Sequence, residues 1–141
     1  MMVVFRGLRA PVGEVVEGGR DRAAVVAVIN VEDEPEILFV VRRISGRDPW
    51  SGQVALPGGR WEPGDRDLLE TAERELMEEV GIRLGELRLL GALDVVRPSN
   101  MPSLTVTPFI AEAEGRPRVR LGGELLTYFW ARLGSLSLQR R

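Results

Sequence analysis

The chain has 141 residues, 44% hydrophobic and 28% charged, the balance of a single globular domain over residues 1–141 with a sizeable core. Nineteen arginines against 21 acids leave a formal charge of −2, so no basic field recruits nucleic acid, and no apolar run is long enough to span a bilayer. Cys, His and Lys are all missing, which excludes disulfides, thiolate metal sites, a cysteine nucleophile and an imidazole base. A bound metal must therefore take oxygen ligands, which points to Mg²⁺ or Mn²⁺. The opening MMVVFRGLRAP has no signal-peptide core, and a cytoplasmic location is expected.

Residues 1–22 run from a short apolar start into a Gly- and charge-rich stretch that reads as strand or turn. Residues 23–31 (AAVVAVINV) and 37–41 (ILFVV) are apolar runs of strand length, and the Glu32-Asp33-Glu34-Pro35 turn between them predicts a hairpin. Residues 42–52 are polar and broken by Gly46, Pro49 and Gly52, hence a loop. A short strand over 53–56 enters a Pro57-Gly58-Gly59 turn.

A helix follows. Asp67 is placed as its N-cap with Glu70 three residues on, Leu69, Ala72, Leu76 and Val80 form its apolar stripe, and Gly81 ends it. Residues 87–96 and 104–112 read as strands, joined by a loop over 97–103 that two prolines stiffen, and 125–133 as a last strand. Strands on both sides of one amphipathic helix predict an α+β fold, an α/β/α sandwich built on a mixed β-sheet.

Glu75, Glu78 and Glu79 stand at i, i+3 and i+4, so they share one helical face. Like charges so close repel, and a hard divalent cation would neutralise them. A solvated acidic face with internal ion pairs has the same composition; the glycines upstream and their spacing tell against that reading.

Gly59, five residues, Asp65, and then Arg74-Glu75-Leu76-x-Glu78-Glu79-x-Gly81-Ile82 resemble the Nudix box, a catalytic loop-helix-loop. Asp65 in place of Glu, and eight residues rather than seven before Arg74, resemble the coenzyme A pyrophosphatase-like branch of that family. The stretches 52–59 (GQVALPGG), 90–94 (LGALD), 106–109 (VTPF) and 129–133 (FWARL) extend the likeness over residues 23–138. The chain departs from the branch at Ile44, where Ser follows the arginine, and at Trp50, where a His is usual.

The resemblance implies hydrolysis of the pyrophosphate bond of a nucleoside diphosphate linked to another group, here coenzyme A-like, with ADP-ribose, a dinucleoside polyphosphate or an oxidised nucleotide as alternatives. It implies that Glu75, Glu78, Glu79 and the Gly59 carbonyl hold Mg²⁺ or Mn²⁺, and that Arg74 orients the carboxylates. The general base must be a carboxylate: Glu75 or Glu79 from the helix, or Glu124 from the later Gly122-Gly123-Glu124 loop. Arg43, Arg47, Trp50, Gly58 and Asn100 are the candidate substrate contacts. Trp50 suits stacking on an adenine ring or on a second subunit of a homodimer; Trp61 reads as a packing residue and Trp130 as core. A ligand sensor on the same fold, without catalysis, is the rival from another class.

Overall fold

The structure is a computed structural model describing residues 10–11, 15–44 and 52–135. Its strands are β1 (Ala10–Pro11), β2 (Arg22–Asn30), β3 (Glu36–Arg42), β4 (Val54–Ala55), β5 (Gly58–Arg60), β6 (Arg88–Ala92), β7 (Thr105–Ala113) and β8 (Leu125–Arg132), with one α-helix, α1 (Leu68–Val80). Single 3-10 turns lie at Leu84–Glu86 and Leu133–Ser135. No helix among the described residues is long and apolar enough to cross a membrane.

The sheet runs β1-β6-β7-β2-β3-β4, with β8 on the other edge of β3 and β5 on β2. It is mixed: β2 and β7 pair in parallel from Arg22↔Thr105 to Asn30↔Ala113, and every other ladder is antiparallel. Central parallel strands are covered on both faces, which is why β2 is apolar almost without alternation. Ala24, Val26 and Val28 face α1 with Leu38, Val40, Phe109, Ala111 and Leu125, while Ala27, Ile29, Ile37 and Ile110 form a second cluster.

Helix α1 starts and stops for local reasons. Asp67 accepts a hydrogen bond from the Glu70 amide at 2.9 Å, and Glu70 in return accepts one from the Arg66 amide at 3.2 Å. Gly81 adopts the left-handed conformation (φ 70°), and its N–H donates to the Met77 carbonyl. Leu68, Ala72, Leu76 and Val80 are buried on the sheet. Leu68, rather than the expected Leu69, leads the stripe, and Leu69 is half-buried. Thr71 is buried as well, its hydroxyl donating to Asp65 at 2.9 Å.

Four expectations are corrected. Gly58 and Gly59 are strand residues rather than a turn, pairing with Val25 and Ala24 of β2. Strand β3 runs to Arg42, which the sequence reading put in the loop. The strand expected over 87–96 ends at Ala92, after a register irregularity beside Gly91, and Val96 makes only an isolated bridge to Val106. Trp130 is half-buried against the core, with the Arg116 guanidinium 5.9 Å from its ring centroid.

Candidate active site

The helix carboxylates differ sharply in burial, because their face turns from the sheet towards solvent within one turn. The Glu79 side chain is 6% exposed, Glu75 15% and Glu78 59%. They line a cavity of about 280 Å³ with Glu62, Gly122, Gly123, Glu124 and Leu125. Segments remote in sequence, the 61–65 loop, α1 and the 122–124 loop, thus meet at one acidic cleft.

Each wall is held by named bonds. The Gly122 amide donates to the Glu79 carbonyl and the Arg120 amide to the Val80 carbonyl, both at 2.8 Å, satisfying acceptors that the helix end leaves open. A Cβ on Gly122 would fall 2.4 Å from the Glu78 carbonyl oxygen, so only glycine allows this close approach. Beside Glu75, a Cβ on Gly59 would fall 2.4 Å from Glu75 Oε2.

Arg74 is the hub. It donates to Asp65 through Nε (3.0 Å) and Nη2 (2.9 Å), to Glu75 Oε2 (3.0 Å) and to the Arg60 carbonyl (3.0 Å), with Glu62 at 3.4 Å and Glu78 at 3.6 Å. Asp65, buried, accepts also from the Glu62 amide at 3.0 Å and from Thr71. The Arg74 hydrogen bonds, aided by those two, hold the Asp65 carboxyl down at about 2. Asp65 in turn raises the pKa of the Arg74 guanidinium.

Glu79 has a different environment. Gly58 N–H donates to its Oε1 at 3.1 Å, and the Arg42 guanidinium lies 3.5 Å from Oε2. Burial pushes the Glu79 carboxyl up to about 7 against the opposing pull of Arg42 and the Gly58 amide, with Glu75 and Glu124 adding to the rise. Burial also raises Glu75, while Arg74 opposes.

Among the described residues no three acidic side chains stand close enough to form a finished cation cage. The arginines explain this: Arg74 draws Glu75 and Glu78 to itself, and Glu79 is turned towards Gly58 and Arg42. The donor set still fits a hard divalent cation. It is all oxygen, two of its carboxylates are pushed towards neutrality by burial, and Glu78 is exposed enough to turn.

The remaining candidates fall in several places. Arg43 holds the 122–124 loop, its Nε donating to the Gly123 carbonyl at 2.9 Å and its amide to the Glu124 carbonyl at 3.1 Å. Gly58 is buried with both main-chain groups engaged, N–H on Glu79 and C=O on Arg42. Gly58 therefore positions Glu79. Asn100 lies exposed in the 97–104 loop, outside the carboxylate cavity; Met101 of that loop accepts from Arg60. Arg47 and Trp50 lie outside the described residues. Trp61 packs on the core with its Nε1 donating to the Asp65 carbonyl. Sequence reasoning missed Arg42 and Glu62. Glu62 stands three residues after Gly59, a spacing that could have nominated it, whereas a charged residue ending an apolar strand gives no such signal.

A mixed sheet thus carries one acidic helix whose carboxylates meet the 122–124 loop at a single cleft. The NUDIX domain family model matches residues 19–141, and the chain belongs to that family. An uncharacterised protein of Schizosaccharomyces pombe is 36% identical over 117 residues, covering 78% of this chain and 36% of its own length. The human mitochondrial coenzyme A diphosphatase NUDT8 is 37% identical over 92 residues, covering 63% of this chain and 37% of NUDT8. The chain thus spans little more than a third of these relatives. A Caenorhabditis elegans Ap4A hydrolase structure superposes with a TM-score of 0.66 at 21% identity, over 79% of this chain and 80% of that one, which shows the shared fold.

Proposed function

We propose that this chain is a divalent-cation-dependent pyrophosphohydrolase whose substrate is a coenzyme A-like nucleoside diphosphate derivative, cleaved to 4′-phosphopantetheine and an adenosine 3′,5′-bisphosphate. The observation that carries the reading is the gathering of Glu62, Glu75, Glu78, Glu79 and Glu124 around one small cavity, with Arg74 fixing the helix side. An anionic pyrophosphate entering so acidic a cleft needs counter-charge, and Mg²⁺ or Mn²⁺ held by Glu75, Glu78, Glu79 and the Gly59 carbonyl would supply it and acidify bound water. NUDT8, named as a coenzyme A diphosphatase, supports the substrate class.

In this reading the chain's own groups do the positioning. Asp65 and Arg74 hold the carboxylate of Glu75 at the cleft wall. A box glutamate, Glu75 or Glu79, takes the proton of the attacking water, its raised pKa suiting a base near neutral pH. Glu124 faces them from the loop and is the alternative acceptor.

The test is a panel of coenzyme A, ADP-ribose, a dinucleoside polyphosphate and an oxidised nucleotide, each incubated with Mg²⁺ or Mn²⁺, beside a Glu78→Gln variant. Turnover of coenzyme A by the parent, reduced on the order of a hundredfold in the variant, is the expected result. Tight binding of one panel member with no turnover of any would replace the enzyme with a sensor. Parallel kinetics of Glu75→Gln, Glu79→Gln and Glu124→Gln assign the base.

A further inference from the structure

We propose that Arg42 is a positioning residue for the active site, clamping the Glu79 carboxylate and the Gly58 peptide together so that Glu79 is pre-oriented for a divalent cation. The proposal rests on the reading above, and four observations support it.

Strand β3 sends Leu38, Val40 and Arg42 to the helix-facing side, and the first two are fully buried. Arg42 thus continues a core row and carries its charge inwards, with its side chain only 17% exposed. A charge at such a place is tolerated when it is paired.

One guanidinium nitrogen, Nη2, reaches both the Gly58 carbonyl, at 3.3 Å, and Glu79 Oε2, at 3.5 Å. Gly58 N–H returns to Glu79 Oε1 at 3.1 Å. The three groups close a ring that joins β3, β5 and α1. Both carboxylate oxygens are addressed from different directions, so rotation of the Glu79 side chain is restrained.

The main chain behind Arg42 is pinned on both sides. Its N–H donates to the Gln53 carbonyl at 3.1 Å, and its carbonyl accepts from the Gly52 amide at 3.2 Å. On the other edge Arg42 pairs with Leu125, where the register shifts between Val41 and Arg42 because β8 carries the extra residue Leu126. Such an irregularity increases local twist and re-aims side chains.

Gly58 completes the device. A Cβ there would fall 2.2 Å from the Ala24 carbonyl oxygen, so β5 lies flush on β2 only with glycine at this position. The donors that meet Glu79 are therefore held by the sheet itself.

Metal affinity discriminates positioning from mere proximity by sign. An arginine that is only a nearby charge repels a cation, so removing it would tighten binding. An arginine that orients a ligand loosens binding when removed. The experiment titrates parent, Arg42→Met and Arg42→Lys with Mn²⁺ alone, by calorimetry and by the loss of free-Mn²⁺ paramagnetic signal, and follows coenzyme A hydrolysis in parallel. Expected are Mn²⁺ binding weakened about tenfold in Arg42→Met, kcat down by tenfold or more with KM within threefold of parent, and substantial recovery of both in Arg42→Lys.

Unchanged or tighter Mn²⁺ binding in Arg42→Met overturns the proposal, and so does a loss expressed mainly in KM, which would make Arg42 a substrate contact. Should Arg42→Met fail to fold, Arg42→Gln decides: weaker Mn²⁺ binding at parental thermal stability supports the clamp, and tighter or unchanged binding refutes it. If the parent itself takes up no Mn²⁺, the hydrolase reading fails first and the proposal falls with it. Uptake by the parent with a normal Arg42→Met variant sinks the clamp alone.

Discussion

Replacing Asp65 with Asn preserves the size and shape of the side chain and removes one charge from the centre of the box. In the parent, Asp65 accepts from the Glu62 amide, the Thr71 hydroxyl and two nitrogens of Arg74, all between 2.9 and 3.0 Å. An Asn amide can offer only one oxygen to these donors, and its NH₂ then points at a donor. A carboxyl lowered from 3.8 to about 2 contributes about 2 kcal/mol at neutral pH. Loss of the charge-assisted bonds brings the expected destabilisation of Asp65→Asn at pH 7 to about 2–4 kcal/mol. For a domain of this size that lowers the thermal midpoint by roughly 6–12 °C.

The pH dependence gives the sharper check. The folded pKa is depressed, so the stabilisation is fully present above about 4 and is lost as pH falls through about 2. Urea unfolding of parent and variant at pH 7, 5, 4 and 3 should show a constant gap that starts to close below pH 4. A gap under about 0.5 kcal/mol at pH 7, or one that stays constant down to pH 3, would refute the assignment of Asp65 as the ionised anchor of Arg74.

Three further substitutions test other parts of the argument. Gly59→Ala puts a Cβ on the Glu75 carboxylate and should cut hydrolysis on the order of tenfold or more while weakening Mn²⁺ binding; calorimetry and steady-state rates check it. Gly122→Ala should separate the 122–124 loop from the end of α1, costing about 1–3 kcal/mol in urea unfolding and raising amide exchange at residues 122–125. Leu76→Ala empties a fully buried site between helix and sheet and should cost about 2–5 kcal/mol, with kcat of the folded protein within a few-fold of parent.

The elements that the sequence displayed are those with local causes. Helix α1 was legible because cap, stripe and stop all lie within fifteen residues, and β2 because a parallel central strand needs no alternation. Gly58 and Gly59 were misread because glycine carries no strand signal of its own. What makes them a strand is contact with β2, more than thirty residues back, which leaves no room for a Cβ at Gly58. Arg42 was hidden for a similar reason. Its charge suggests a loop, and only the arrival of Glu79 from α1, thirty-seven residues on, makes a half-buried arginine tenable. The i, i+3, i+4 spacing did place three carboxylates on one face. It could not show that Arg74 and Arg42 pull their oxygens apart, because those contacts involve rotamers and a second strand.

Five carboxylates and two inward arginines share the cleft region, an excess of negative charge that repels a pyrophosphate and attracts a divalent cation. In the proposed reaction cation and pyrophosphate would therefore each improve the site for the other, with the enhancement equal in both directions by linkage. The ion pairs of Arg74 with Glu75 and Glu78 act against closure of the carboxylates on a cation, so some of the binding free energy goes into redirecting them. Asp65 limits that cost: with two hydrogen bonds on Arg74, it gives the guanidinium a partner that remains when Glu75 and Glu78 turn away. An anchor for the arginine that stands apart from the cleft carboxylates would allow those carboxylates to turn to a cation without leaving a half-buried charge alone.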